Sequence, residues 1–304
     1  MNERNLLEQI KAQQDMFERT TAYMDELRLD IENQRDRIKE QNKEIIDSIN
    51  YAKLLQQAIL ANDSVFKELN LNGFILNLPK NIIGGDLPFV IKSKENLYVA
   101  AIDCTGHGIP GAMLSMLSFT LLKNLIDNGC DNINPSHLID ELKNKIKYYL
   151  NFNNSETKSI NDGVEISLLV IDYKENLAHF STTQNPLYLL RKNKIELINA
   201  LKEFNENFER KTTTVTFKLE NDMQFYLMSD GYQDQFGGIS TFGTSKKFKR
   251  KNIVSLLSKI SRLNEEKKRE ILLDTFHSWK GDVEQTDDIL IMHLKYSKND
   301  KITL

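Results

Sequence analysis

Aspartates next to glycines or other turn residues recur at the ends of apolar segments, a combination suited to metal chemistry. Gly84-Gly85-Asp86 follows one such segment, and Asp103 closes the run Leu97–Ile102 directly before Cys104-Thr105-Gly106-His107-Gly108. Ser229-Asp230-Gly231 closes Gln224–Met228, and Asp287-Asp288 opens Ile289–Leu294. One Asp at a strand end is ordinarily a turn former or a helix cap. Repeated at several strand ends, such carboxylates can converge on one edge of a sheet. There they suit hard cations such as Mg²⁺ or Mn²⁺, which take carboxylate oxygens and waters. The neighbouring glycines let backbone carbonyls and waters come close. Other chemistries are less well supplied. No phosphate-cradling loop ends in Gly-Lys-Ser or Gly-Lys-Thr. Cys104 has no activating base in view and reads as a small buried residue. His107 is an acid–base candidate, with a turn or core histidine as the competing reading. Lys246-Lys247-Phe248-Lys249-Arg250-Lys251 reads either as a solvated, mobile loop or as a contact for an acidic partner or a phosphorylated substrate.

The elements that must position these residues are short. Phe74–Leu76, Leu97–Ile102, Ile166–Ile171, Leu187–Leu190, Thr213–Phe217, Gln224–Met228 and Ile289–Leu294 read as strands, apolar or alternating and bounded by turn residues. Ala112–Asp127, Pro135–Leu150, Ile253–Ser261 and Glu265–Trp279 read as helices. Strands in hairpin-like runs and clustered helices predict an α+β layered fold. All thirteen glycines and five prolines lie from Gly73 onward, so the first quarter of the chain is a different object. It predicts one helix from Asn2 to Leu60, with apolar residues at a seven-residue spacing: Ile10, Phe17, Met24, Ile31, Ile38, Ile45, Ala52 and Ile59. That period is a coiled coil's. The companion seam reads Leu6, Gln13, Thr20, Leu27, Gln34, Gln41, Ser48 and Leu55, polar at five of its eight positions, which predicts weak pairing able to shift register. Its length would be about 85–90 Å. A dimerisation handle, a signalling helix and a solvated single helix are the three readings it supports.

Composition sets the outer bounds. The 304 residues are 40% hydrophobic and 27% charged, as in a globular protein with a sizeable core. Two cysteines are too few for a disulfide framework and suit a reducing cytoplasm. No run approaches the ~18 consecutive apolar residues of a membrane span, and neither a span nor a signal peptide is expected. A net charge of -3 argues against a large nucleic-acid footprint.

The motifs, in order, carry a resemblance. Gly84-Gly85-Asp86; Ala100-Ala101-Ile102-Asp103-Cys104-Thr105-Gly106-His107-Gly108-Ile109-Pro110-Gly111-Ala112; Asp162-Gly163-Val164-Glu165-Ile166-Ser167; Asn185-Pro186-Leu187-Tyr188; the run from Met228 to Gly238; and Gln285-Thr286-Asp287-Asp288-Ile289 together resemble the SpoIIE-like (RsbU-like) branch of the metal-dependent protein serine/threonine phosphatases. Ser48–Leu60 is similar to the helix that enters this domain in sensor-linked members, and the match runs from about Tyr51 to Leu294. The resemblance implies a β-sandwich of two antiparallel sheets flanked by helix pairs, with two Mn²⁺ or Mg²⁺ ions at one end. It implies that Asp103 bridges both ions, that the Cys104 carbonyl ligates one, and that Asp230 and Asp287 complete the second ion's ligands. Asp86 would hold a metal directly or through water.

The implied activity is hydrolysis of phosphoserine or phosphothreonine on a regulatory protein by water activated between two cations. The implied substrate is of the anti-sigma-factor-antagonist kind. A homodimer through the coiled coil would regulate it. The expected division is 1–60 signalling helix, 61–296 phosphatase domain and 297–304 disordered tail. One departure stands out: the family places aromatic residues after Gly-Gly-Asp, where this chain has Leu87-Pro88-Phe89. An altered loop around Asp86 would favour the alternative, a weak or inactive phosphatase-like scaffold module.

Overall fold

The structure, a computed structural model, describes residues 3–128, 134–151, 163–200, 203–204, 210–239 and 245–298. Asp162 of the third motif and the tail beyond 298 lie outside them.

Along the chain run α1 (Glu3–Ile59), α2 (Ser64–Glu68), β1 (Asn72–Leu78), β2 (Leu87–Ser93), β3 (Asn96–Cys104), α3 (Gly108–Asp127), α4 (Pro135–Asn151), β4 (Val164–Asp172), β5 (Leu177–Thr182), β6 (Leu187–Arg191) and β7 (Lys194–Ile198). There follow β8 (Glu203–Phe204), β9 (Arg210–Lys211), β10 (Val215–Lys218), β11 (Gln224–Met228), α5 (Gly231–Asp234), β12 (Phe236–Ile239), β13 (Ser245–Lys247), α6 (Arg250–Ile260), α7 (Glu265–Lys280) and β14 (Ile289–Lys295). By packing the chain divides into Met1–Ala52 and Lys53–Leu304. The first unit is helical, and its heptad positions Phe17, Ile31 and Ile38 are exposed at 73%, 64% and 56%.

The second unit is an antiparallel sandwich. One sheet has the order β1-β14-β11-β6-β7, the other β10-β5-β4-β3-β2. Its strands are apolar on both faces because each face is covered. In β3, Leu97, Val99 and Ala101 join the core between the sheets, with Leu169, Leu187, Leu227 and Leu290. Tyr98, Ala100 and Ile102 point the other way, onto Leu121 and Leu122 of α3 and Leu138 and Leu142 of α4. On the far side, Tyr226, Met228 and Ile291 meet Leu257 of α6 and Leu272 and Phe276 of α7. The predicted α+β sandwich flanked by helix pairs is the fold observed. By length and composition α3 is apolar enough to cross a membrane. Here its Leu114, Leu121, Leu122 and Ile126 are buried in the helix–sheet core.

In the two main sheets β2, β5 and β7 escape the strand reading above, as do the short β8, β9, β12 and β13. The first explains the departure after Asp86. Leu87-Pro88 open β2, an edge strand. Leu87 is fully buried, and Pro88, with no N–H to give, sits where a sheet tolerates proline. Its carbonyl accepts a hydrogen bond from the Ala61 amide at 3.3 Å. These residues belong to sheet and core.

Candidate metal centre

Strand register assembles the acidic edge. In the β2–β3 pair Leu87 lies opposite Ile102, so the next residues outward, Asp86 and Asp103, come to the same end. In the β3–β4 pair Asp103 lies opposite Glu165. The other sheet delivers its carboxylates to that end too. Met228 of β11 pairs with Ile291 of β14, and the Ser229 amide donates to the Leu290 carbonyl at 3.1 Å. Asp230 and the Asp287-Asp288 pair thus leave their strands side by side. Asp230 is also the N-cap of α5. Gly231, the next residue, lies so near β14 that a Cβ there would come within 1.9 Å of the Asp288 carbonyl oxygen.

Burial and like charge act together on this edge. Burial first, then Asp230, Asp287, Glu165 and Asp288, push the Asp103 carboxyl from 3.8 up to about 7. Asp86 is 3% exposed; burial and then Asp103 hold its carboxyl well above the usual range, against the lowering pull of Ser229. Asp230 is raised as well, by burial and then by Asp234 and Asp287, with Lys247 opposing. Close carboxylates raise one another because each added negative charge disfavours the next. Positive charge brought into their midst relieves the repulsion.

Hydrogen bonds hold two of the carboxylates, Asp86 and Asp230. The Ser229 hydroxyl donates to Asp86 Oδ2 at 2.6 Å while accepting from the Leu290 amide at 2.9 Å. Gln184 Nε2 donates to Asp230 Oδ2 at 3.4 Å. The Cys104 carbonyl faces the same edge: a Cβ added at Gly85 would come within 2.8 Å of it. The predicted set of Asp86, Asp103, Asp230, Asp287 and the Cys104 carbonyl therefore gathers at one end of the sandwich. Among the described residues, no group of three or more acidic, His or Cys side chains is drawn tight enough to grip one ion unaided. An open set of oxygen donors fits Mg²⁺, which binds through one or two carboxylates and keeps several waters.

The remaining candidates separate clearly. The Cys104 thiol is buried 3.9 Å from Ser118 Oγ, and burial pushes its pKa up, so it is no nucleophile. His107 is exposed at the N-cap of α3, with Nδ1 2.9 Å from Asn81 Nδ2. The basic run spans the end of β13, the two-residue link Phe248-Lys249 and the start of α6.

Three residues quoted within the motifs but given no role there support the site. Asp288 is buried and accepts from the Gly85 amide at 2.6 Å and the Lys80 amide at 2.7 Å, clamping the loop that carries Asp86. Ser229 orients Asp86. Gln235, with no exposed surface, accepts from the Thr286 amide at 2.9 Å and donates to the Glu284 and Phe236 carbonyls, holding the approach to Asp287. Only the doubled Asp287-Asp288 could have hinted at a division of labour, one carboxylate exposed and one buried.

The family described as Stage II sporulation protein E (SpoIIE) matches residues 93–297. No curated protein sequence matches the chain. Among solved structures, the SiaA-PP2C domain of Pseudomonas aeruginosa is 23% identical with a TM-score of 0.71, over 84% of this chain and 98% of that one. The PP2C phosphatase domain of SpoIIE from Bacillus subtilis, solved with a fragment of its regulatory domain, is 14% identical with a TM-score of 0.57, over 75% of this chain and 63% of that one. The RsbU and RsbW domains of a Mycobacterium tuberculosis protein are 13% identical with a TM-score of 0.55, over 75% and 61%. With the matched residues spanning β3 to β14 and the acidic end of the sandwich, this chain belongs to the SpoIIE family and has the fold of the PP2C phosphatases.

Proposed function

We propose that the chain is a metal-dependent protein phosphatase acting on phosphoserine or phosphothreonine of a regulatory protein. The observation that carries this reading is the mutual crowding of Asp103 with Asp86, Asp230 and Asp287 at one sandwich end. Two divalent cations, Mn²⁺ or Mg²⁺, would supply the positive charge that phosphoryl oxygens need and would acidify an attacking water. Asp103 would serve both ions, Asp230 and Asp287 would complete the ligands of one, the Cys104 carbonyl would ligate one, and Asp86 would hold a metal directly or through water. Ser229 keeps the Asp86 carboxylate aimed, and Asp288 keeps its loop closed. No side-chain nucleophile is required, in keeping with the buried Cys104 thiol.

A contact within the second unit supports regulation through the front helix. Gln56, buried on the last turns of α1, donates to the Gly84 carbonyl at 2.8 Å and to Ser115 Oγ of α3 at 3.0 Å. The helix end is thereby tied to the loop that carries Asp86. The exposed heptad positions of the first unit suit pairing with a second copy of the chain. By family resemblance, the substrate is a phosphorylated regulator of the anti-sigma-factor-antagonist kind.

Phosphate release from a phosphoserine peptide, with and without Mn²⁺, tests the reading. Release that requires the metal supports it. No release, together with no calorimetric uptake of Mn²⁺, favours the scaffold alternative, whose one sequence argument is Leu87-Pro88 after Asp86.

A further inference from the structure

The motifs leave the basic run unassigned, and the fold carries it to the rim of the acidic end. β12 and β13 pair as a hairpin anchored to α7: Trp279 Nε1 donates to the Gln235 carbonyl at 3.1 Å, and its ring meets Phe248 edge-on at 5.2 Å. Beyond β13 the chain is tied to α5, since the Phe248 and Lys249 amides donate to the Gln235 and Gln233 carbonyls at 3.0 and 2.8 Å. Successive residues of a strand face opposite ways. Lys246 accordingly reaches back over the Trp279 ring, 5.6 Å from its centre. Lys247 faces α5, with Nζ 2.9 Å from Asp234 Oδ2. The Asp234 amide donates to the Asp230 carbonyl at 3.0 Å, so the Lys247 ammonium stands one helical turn from a carboxylate of the metal centre.

The Lys247–Asp234 pair is 45% and 38% exposed at its two side chains. An ion pair so open to water is worth no more than about 1 kcal/mol, and another anion can compete for the lysine. Residues 246–251 contain five cations and no acid, within a chain of net charge -3. Such a local field gathers acidic ligands.

We propose that Lys247 is a specificity-determining residue that selects phosphoprotein segments with acidic side chains flanking the phosphorylated residue, exchanging Asp234 for a substrate carboxylate. This rests on the phosphatase reading and adds the substrate's charge pattern to it.

The test uses the full chain with Mn²⁺ and two phosphoserine peptides, one flanked by glutamates and one by glutamines. The readout is the ratio of their kcat/KM values. The wild type should favour the acidic peptide. Lys247→Met should lower that ratio about fivefold, the scale of one exposed charge contact, through KM more than kcat. Lys247→Arg should keep it, and Lys246→Met, on the other face, should leave it within about twofold. A wild-type ratio near one, an unchanged ratio in Lys247→Met, or an equal fall in Lys246→Met overturns the assignment. A loss that falls equally on both peptides also leaves the ratio unchanged, so a merely structural role for Lys247 is excluded by the same number. If the wild type turns over neither peptide, it is the phosphatase reading that fails. The affinity ratio of the two labelled peptides, read by fluorescence anisotropy, then decides the role of Lys247 by the same criterion.

Discussion

At the scale of single residues, the site is defined by carboxylates kept from ionising freely. The Asp103 carboxyl moves from 3.8 to about 7, and Asp86 and Asp230 shift in the same direction. Between those two values the folded, metal-free chain binds more protons than the unfolded one. The associated stability is full below about 4 and is lost as pH rises toward 7. Metal-free protein should therefore melt at a higher temperature near pH 5 than near pH 8, and excess Mn²⁺ should remove that decline by replacing protons with cations. A flat or rising melting curve in chelator would contradict the crowding described. A second prediction concerns Ser229, whose hydroxyl is the hydrogen-bond partner of Asp86. Ser229→Ala should raise the Mn²⁺ concentration for half-maximal turnover tenfold or more, the usual cost of losing a partner behind a ligand, and titration of activity with metal measures it. The motifs made Asp86, Asp103, Asp230 and Asp287 legible because carboxylates at strand ends are visible one segment at a time. Ser229 and Asp288 were not, since their roles depend on which loop packs against them.

At the scale of elements, strand register does the assembling. Gly231 is the tightest joint, with the Asp288 carbonyl where a side chain would begin. Gly231→Ala should destabilise the fold by about 1–3 kcal/mol, as overpacking does, and should weaken metal binding because α5 must shift away from β14; a melting curve and a Mn²⁺ titration read both. The same scale shows why some elements were hidden. β2 begins with Leu87-Pro88, and proline reads as a breaker until the strand is known to lie at an edge. β7 is a half-exposed edge strand with charges at Lys194 and Glu196, a weak pattern in the absence of its partner β6. In α7, Lys268 reads as a solvent-facing lysine, yet it is 1% exposed and donates to Gln224 Oε1 at 2.9 Å. A buried polar network of that kind leaves no periodic trace. The strongest elements, β3, β4, β11 and β14, were legible because both their faces are covered and their apolar runs are continuous.

At the scale of the whole molecule, packing divides the chain after Ala52, ahead of the expected boundary at 60 and of the first glycine, Gly73. The heptad residues Ile10, Phe17, Met24, Ile31, Ile38 and Ile45 before that division are exposed, and Gln56 beyond it is bonded to the loop of Asp86. Removing residues before Asn50 keeps Gln56 and deletes the heptads. That truncation should change oligomeric state or turnover, read by light scattering and by phosphate release; if neither changes, the helix is only a tether. The central claim is that the acidic end of the sandwich is a metal-dependent phosphatase centre with Asp103 at its heart. Its most direct test is phosphate release from a phosphoserine peptide by wild type and Asp103→Asn in excess Mn²⁺, with folding of both checked by circular dichroism. The account predicts Mn²⁺-dependent release by the wild type and at least about a hundredfold loss in a folded Asp103→Asn, the scale on which removing one electrostatic stabiliser acts. Undiminished turnover in that variant would contradict it.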